Sequence, residues 1–507
     1  MKSDAGPAVS RREFLHTAGV AAAALLATRR GESMESPSER PSRPPNIIYV
    51  FADQLRYQSC GYAGDRKAKT PHLDAFASQG TSFQNAVSGH PVCAPYRASM
   101  LTGKYTTSTG MVINEMRLNP NHESLAHVLT RGGYETAYIG KWHLYANQLG
   151  NHEDPKNSFT PPGPHRLGFD GFWASYGFHH ENYRGYYHTD SQEKIPVKGY
   201  EPDAQTDLAI EQIRRHAKSE KPFALFLSIG APHDPWNPGN VPPEFLAKFA
   251  DETFTLPPNY KPENDPYADA WGRYQGPEER KKIPDWMKVY YAMVANVDWN
   301  FGRILEAIEK AGIREDTIVV FTSDHGEMFG AQGRRAKNIF YEEAVRVPFV
   351  VRWPGKTPPG RVSDACLNTP DIMPTLLSMA GMPIPAKVEG TDLSHCALGK
   401  PGPEPEAAFM QNTGACAIWE DGYEWRGLRS KRHTYAIYRK DGKEFLFDNK
   451  ADPYQMVNLA EDAEHKETLD RFRDLLKKQM ARVGDTNEAS TWYRDHWTKD
   501  RVITFTR

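Results

Sequence analysis

The sequence predicts an α/β fold with a large, mostly parallel central sheet flanked by helices, followed by a smaller carboxy-terminal α+β subdomain. Three observations predict it. From about Asn46 to Ala380, short apolar runs alternate with helical stretches. The polar residues of interest follow those runs instead of preceding them. Beyond about residue 384 the pattern changes to turn-separated strands and one charged helix. At 507 residues the chain also exceeds the size at which a single core stops growing, which agrees with one large unit plus a smaller one.

Taken in order, Ile47 to Phe51 reads as a buried strand ending at Asp53. Thr70 suits a helix N-cap and Pro71 the first helical position, opening a helix through Ala77. Cys93 falls just before another helix, whose first turn tolerates Pro95. A helix over 123–131 ends at Gly132-Gly133, and Thr136 to Ile139 forms the next strand. Helical character returns from Asp203 to His216, a strand from Pro222 to Ile229, a helix from Trp286 to Lys310 and a strand from Ile318 to Phe321. Arg346 to Arg352 reads as one more strand, with a helix near Asp371 to Ala380. Past the Pro-rich stretch 401–405, Trp425 to Tyr438 and Glu444 to Phe447 read as antiparallel strands joined by a turn at Lys440 to Lys443. A charged helix from about Ala463 to Val483 follows. The expected boundaries are therefore 46–384 for the α/β domain and 385–507 for the carboxy-terminal subdomain.

At the amino terminus, Ser10-Arg11-Arg12-Glu13-Phe14-Leu15 precedes a small apolar run to Leu26 and resembles a twin-arginine export signal over residues 1–30. The apolar run is too short to span a bilayer comfortably. Residues 31–45, rich in Ser, Pro, Glu and Arg, read as a linker. An exported, periplasmic or extracellular protein with no stable membrane span is expected. The 62 Lys and Arg against 64 Asp and Glu give no global field for nucleic acid or an acidic membrane, so any anion site must be local. Five cysteines, at 60, 93, 366, 396 and 416, are too sparse for a disulfide scaffold, although Cys396 and Cys416 are available to pair. No Cys-x-x-Cys pair supports structural zinc.

The chemistry concentrates in Pro91-Val92-Cys93-Ala94-Pro95-Tyr96-Arg97, which runs into Leu101-Thr102-Gly103-Lys104. Alone, Cys-x-Pro-x-Arg is equally a structural thiol at a helix start. It gains company from Gly140-Lys141-Trp142-His143, Ala231-Pro232-His233, Thr322-Ser323-Asp324-His325-Gly326-Glu327, Lys337 and Asp371-Ile372-Met373-Pro374-Thr375. Several of these follow predicted strands, and open parallel sheets bind ligands beyond the carboxyl ends of their strands.

In this order the motifs resemble the type I, formylglycine-dependent sulfatases of the alkaline phosphatase superfamily, over nearly the whole chain after residue 45. The resemblance implies that Cys93 is oxidised to Cα-formylglycine by a formylglycine-generating enzyme. A thiolate attacking sulfur would leave an adduct with no internal route for release. A hydrated aldehyde carries two hydroxyls on one carbon, one to attack and one whose deprotonation expels sulfate. The resemblance further implies that Arg97 holds and polarises the formylglycine, Lys141 and Lys337 cradle the sulfate, His143 assists the second hydroxyl, and His233 protonates the leaving oxygen. Arg334 and Arg335 are close alternatives to Lys337.

The metal ligands implied are Asp53, Gln54, residue 93, Asp324 and His325, around Ca²⁺ or, because His325 brings a nitrogen, Mn²⁺ or another divalent ion. Sulfatases commonly carry a second Asp where this chain has Gln54, and an Asn where it has His325. The fourth position of the modification motif, often Ser or Ala, is Tyr96 here.

The stretch 165–188 holds Trp173, Tyr176, His179, His180, Tyr183, Tyr186, Tyr187 and His188, suited either to sugar subsites or to packing a long loop. The expected activity is cleavage of sulfate from a sulfated carbohydrate. Two alternatives stay open: a phosphonate monoester or phosphodiester hydrolase of the same superfamily, and a non-catalytic glycan-binding protein with an unmodified Cys93.

Overall fold

In the computed structural model the described residues are Met1, 43–505 and Arg507. The expected export signal and nearly all of the linker lie outside them. Among the described residues no helix is long and apolar enough to cross a membrane.

Eight strands form the central sheet: β1 (Asn46–Asp53), β2 (Thr81–Phe83), β3 (Glu135–Lys141), β4 (Trp173–Tyr176), β5 (Phe223–Pro232), β6 (Thr317–Ser323), β7 (Phe349–Arg352) and β8 (Arg361–Ser363). Their order is β8-β2-β7-β6-β1-β5-β3-β4. All neighbouring pairs are parallel except those of β7, which runs against both β2 and β6. The expected largely parallel sheet is present, with one reversed strand that hydrophobic patterning does not distinguish.

The central strands are apolar throughout because both faces are covered. Along β1, Ile47, Tyr49 and Phe51 enter one core, while Ile48, Val50 and Ala52 enter the other. This is the period-two alternation of a strand with a helical layer on each side. On one side lie α3 (Glu201–His216) and the long α4 (Ile283–Lys310), whose Tyr290, Met293, Val297 and Phe301 are buried. On the other lies α2 (Cys93–Thr102).

Local capping departs from expectation at α1 (Pro71–Gln79). Pro71 opens the helix, but the Thr70 hydroxyl donates to Asp74 and accepts from the Gly61 amide instead of capping it. The free amides of His72 and Leu73 are taken up by Asp298 of α4. A tertiary carboxylate therefore does the work assigned to the local hydroxyl.

The smaller sheet is antiparallel, in the order β9 (Ala407–Asn412), β10 (Trp425–Ser430), β11 (His433–Tyr438) and β12 (Glu444–Asp448). Residues 425–438 are thus two strands, divided at Lys431-Arg432. A helix, α5 (Lys466–Arg482), packs Leu469, Phe472 and Leu476 against Phe409, Leu428 and Tyr435. The opposite face, with Met410, Trp425 and Tyr438, buries Met328, Phe340 and Val345 of the larger unit. All five cysteines are free thiols, and Cys396 and Cys416 do not pair. Cys416 lies against Asn114 and Asp269, whereas Cys396 lies against His395 and Glu404.

Candidate active site

Four adjacent central strands deliver the site. Asp53 ends β1, Lys141 ends β3, His233 follows β5, and Asp324 with His325 follows β6. Gly140 makes this convergence possible. It sits at φ 99°, and a Cβ there would lie 2.0 Å from the Ser228 carbonyl oxygen. Only glycine allows β3 to turn so close to β5 while aiming Lys141 into the site.

Cys93 is the first residue of α2 and is fully buried. Val92 provides no side-chain cap; the Ala94 amide instead donates to Asn114 Oδ1 at 2.9 Å. The positive end of a ten-residue helix thus opens on the site, which favours anions there. Cys93 Sγ lies 3.3 Å from His325 Nε2 and 3.8 Å from Asp53 Oδ1. Burial pushes the thiol up, but the charges of Lys141, Lys337 and His325 pull it well below its ordinary value. Tyr96, the departure in the modification motif, packs in the core layer of Tyr49 and Phe51.

The ligand atoms of Asp53, Cys93, Asp324 and His325 lie within 4.8 Å of one another, and all four residues are buried. His325 Nδ1 faces the Gly326 carbonyl oxygen at 3.1 Å, so Nδ1 carries the proton and Nε2 turns its lone pair on the cluster. Burial and the neighbouring Asp53 carboxylate push Asp324 above the usual carboxylate range. Two buried carboxylates and an imidazole lone pair, so arranged, fit a divalent cation.

Arg97 knits the carboxylates together. Nη2 lies 3.2 Å from Asp53 and 3.3 Å from Asp324, while Nη1 donates to the Lys141 carbonyl and the Ser228 hydroxyl at 2.7 Å each. Lys141 Nζ donates to Asp53 Oδ2 at 2.6 Å. Burial and Cys93 raise the Asp53 carboxyl, yet Lys141, His233 and Arg97 bring it down to about 2.

Lys337 enters from the loop after β6 and donates to Gln54 Oε1 at 2.7 Å, with His233 Nε2 at 2.8 Å. Arg334 pairs with Asp265, and Arg335 with Glu279 and, at 3.9 Å, with Asp234, so the cation that reaches Gln54 and His233 is Lys337. Gln54, at φ 70°, passes its amide on to Glu327 Oε2 at 2.7 Å, and Glu327 in turn accepts the Phe329 and Ala336 amides. His233 stacks on His180 with centroids 3.7 Å apart and places Nδ1 2.9 Å from Asp234 Oδ1. Burial and Lys337 lower the imidazole, but Asp234 and Asp53 outweigh them and raise it to about 9.

His143, at φ 58°, sets Nε2 3.2 Å from Glu115 Oε1 and packs its ring on Phe178. Phe178 also touches Lys141, His152 and His180. Of the aromatic stretch 165–188, Trp173 stacks on Tyr138 in the core and Tyr176 on His179, while His180 reaches the site.

Sequence reasoning missed Glu115, Phe178, Asp234 and the role of Glu327. Asp234 was readable beside His233, and Glu327 in the Asp-His-Gly-Glu run. Glu115 and Phe178 lie in loops without a periodic signal.

The sulfatase family model matches residues 45–382, and the model for the carboxy-terminal region of N-sulphoglucosamine sulphohydrolase matches 330–482. An ulvan-active sulfatase of Formosa agariphila is 36% identical over 460 residues, covering 90% of this chain and 84% of the relative. A solved protein in complex with its substrate, D-glucosamine-2-N,6-O-disulfate, is similar with TM-score 0.75 and 25% identity, over 88% of this chain and 99% of that one. A phosphonate monoester hydrolase of Agrobacterium radiobacter shares the fold, with TM-score 0.65 and 23% identity over 87% of this chain and 96% of that one. With a family match across its α/β unit and a 36% identical sulfatase spanning most of its length, this chain belongs to the sulfatase family and is a sulfuric ester hydrolase.

Proposed function

We propose that this sulfatase removes sulfate from a sulfated carbohydrate, with residue 93 acting as formylglycine. The observation that carries the reading is the meeting of Cys93 with Asp53, Asp324 and His325 inside 4.8 Å, with Lys141 on Asp53 and Lys337 on the adjoining Gln54. The carbohydrate class rests on relatives named for ulvan and glucosamine sulfate.

A hydrated aldehyde at residue 93 supplies the oxygen nucleophile and a second hydroxyl for release of sulfate. Asp53, Asp324, His325 and residue 93 would hold a divalent cation, which would supply positive charge beside the sulfuryl group; Ca²⁺ or Mn²⁺ suits this donor set. Gln54 Oε1, which accepts from Lys337, would be a further oxygen donor to that cation if released from the lysine. Lys141 and Lys337 bind the remaining sulfuryl oxygens, where they act as fixed charges in a water-poor site. Arg97 holds the two aspartates at a fixed separation and so acts on residue 93 through them. His143 accepts a proton on the residue 93 side, and His233 donates one to the leaving alcohol oxygen.

Maturation by a formylglycine-generating enzyme, and export by the twin-arginine machinery to the periplasm or beyond, complete the proposal. Peptide mass spectrometry of residue 93, joined to turnover of aryl sulfate and aryl phosphonate, tests it. The expected result is formylglycine with sulfate preferred, and abolition of both activities in Cys93→Ala. Dominant phosphonate hydrolysis, or an unmodified cysteine in a fully active enzyme, overturns it.

A further inference from the structure

Glu115 is 3% exposed and lies in an irregular segment between α2 and β3, far in sequence from the motif residues it serves. Its Oε1 stands 3.2 Å from His143 Nε2, and its Oε2 stands 3.6 Å from His152 Nδ1. Burial pushes the carboxyl up, but the hydrogen bond and charge of His143 hold it below the ordinary glutamate range. An ionised carboxylate only accepts hydrogen bonds, so the hydrogen of this contact sits on His143 Nε2. Nδ1 is then the lone-pair nitrogen. It is buried and has no partner among the described residues.

Both ends of this contact are conformationally strained. Glu115 and His143 each take φ 58°, in the left-handed region that non-glycine residues enter uncommonly, histidine more readily than glutamate. Such strain persists where surrounding structure over-determines it. Here the surrounding structure comes from the far end of the chain. Arg501 donates from Nε to the Glu115 carbonyl at 2.6 Å, and from Nη2 to the carbonyls of Asn114 at 2.9 Å and Ala417 at 2.7 Å. The Arg117 amide returns a bond to the Arg501 carbonyl, and the Ile503 amide one to the Arg117 carbonyl, both at 2.9 Å. Asn114 accepts the Ala94 amide beside Cys93, so one clamp fixes the helix start and the His143 partner together.

We propose that Glu115 is the positioning residue of His143. It fixes the Nε2–H tautomer and the ring plane, so that Nδ1 faces residue 93, and Arg501 holds it there. When His143 acts, an O–H bond on the residue 93 side breaks and its electron pair stays on oxygen. The proton forms the Nδ1–H bond, and Glu115 stabilises the imidazolium without itself taking a proton. The proposal rests on the assignment of His143 to residue 93 made above.

The test compares Glu115→Leu, which removes the acceptor, with Glu115→Gln, whose amide oxygen can still take the Nε2 proton. The readouts are the imidazole ¹H–¹⁵N correlation pattern of His143, assigned by its loss in His143→Asn, the thermal midpoint, and kcat and KM on an aryl sulfate. Glu115→Leu is expected to lose the Nε2–H pattern and about 100-fold in kcat, with KM within about threefold. Glu115→Gln should recover about tenfold of that and stay below wild type, and Arg501→Ala should fall about tenfold in the same direction. A wild-type His143 pattern with wild-type kcat in Glu115→Leu overturns the proposal, as does a kcat loss in Leu and Gln alike while the wild-type pattern persists. Should the leucine variant fail to fold, Glu115→Gln decides alone: mixed tautomers with intermediate kcat support it, and wild-type values in both overturn it. A wild-type enzyme inactive on every sulfate ester would sink the sulfuryl-transfer reading, while the His143 pattern would still report on Glu115.

Discussion

His233 feels opposing influences: burial and Lys337 favour the neutral ring, while Asp234 and Asp53 favour the charged one and prevail, raising it to about 9. The 2.8 Å contact with Lys337 uses the Nε2 lone pair, so His233 takes its second proton only when Lys337 leaves it. A donor raised from 6.5 to about 9 is loaded below that range and empties above it. Turnover of alkyl sulfates, which need protonation of the leaving oxygen, should therefore hold to about pH 9 and decline beyond it, with aryl sulfates less affected. The same charged ring contributes to stability below about 6.5, and that contribution fades as pH rises through about 9. A pH–rate profile for an alkyl sulfate checks this; a decline already complete near 6.5 would show that Asp234 and Asp53 do not hold the proton.

Elements supply the precision that individual residues lack. The β3–β5 contact at Gly140 aims Lys141, and Lys141 and Ser228 both anchor Arg97, so one glycine governs three polar groups. Gly140→Ala forces a side chain at φ 99° against the Ser228 carbonyl, at a cost of about 2–3 kcal/mol in stability and a raised KM for sulfate esters. Urea unfolding and steady-state kinetics measure both; an unchanged midpoint with an unchanged KM contradicts the argument. At this scale the sequence was readable where strands were long and buried on both faces, as in β1, β5 and β6. It was silent for β2, β4 and β8, whose three or four residues are too short to show a period.

Across the whole molecule, the carboxy-terminal sheet and tail complete the catalytic unit. Arg429 of β10 forms a buried two-pronged pair with Glu342 after β6, at 2.9 and 3.0 Å, while the tail reaches Glu115 through Arg501. Breaking such buried pairs leaves an uncompensated charge, which makes the union of the two sheets hard to separate. The buried Asp53–Asp324 pair brings a second global dependence. A cation bound there stabilises only the folded state, by about 2.7 kcal/mol at a free concentration 100 times its dissociation constant. Chelation should lower the unfolding temperature by a few degrees, and Ca²⁺ or Mn²⁺ should restore it. A thermal midpoint indifferent to chelator and to both ions would refute the site's fit to a cation.

By itself the sequence determined the α/β class and the long central strands, and it singled out Asp53, Cys93, Arg97, Lys141, His143, His233, Asp324, His325 and Lys337 as candidates. Strand burial and short motifs are local properties, written in neighbouring residues. Only the tertiary structure decided that Lys337 reaches Gln54 and His233, while Arg334 is drawn to Asp265 and Arg335 to Glu279 and Asp234, all distant in sequence. It also decided that Gln54 relays Lys337 to Glu327 and that Arg97 binds both aspartates. Glu115 likewise becomes a partner of His143 only after folding. Such pairings join loops tens to hundreds of residues apart, where the deciding energy is the cost of leaving a buried charge unpaired, and no local pattern records it.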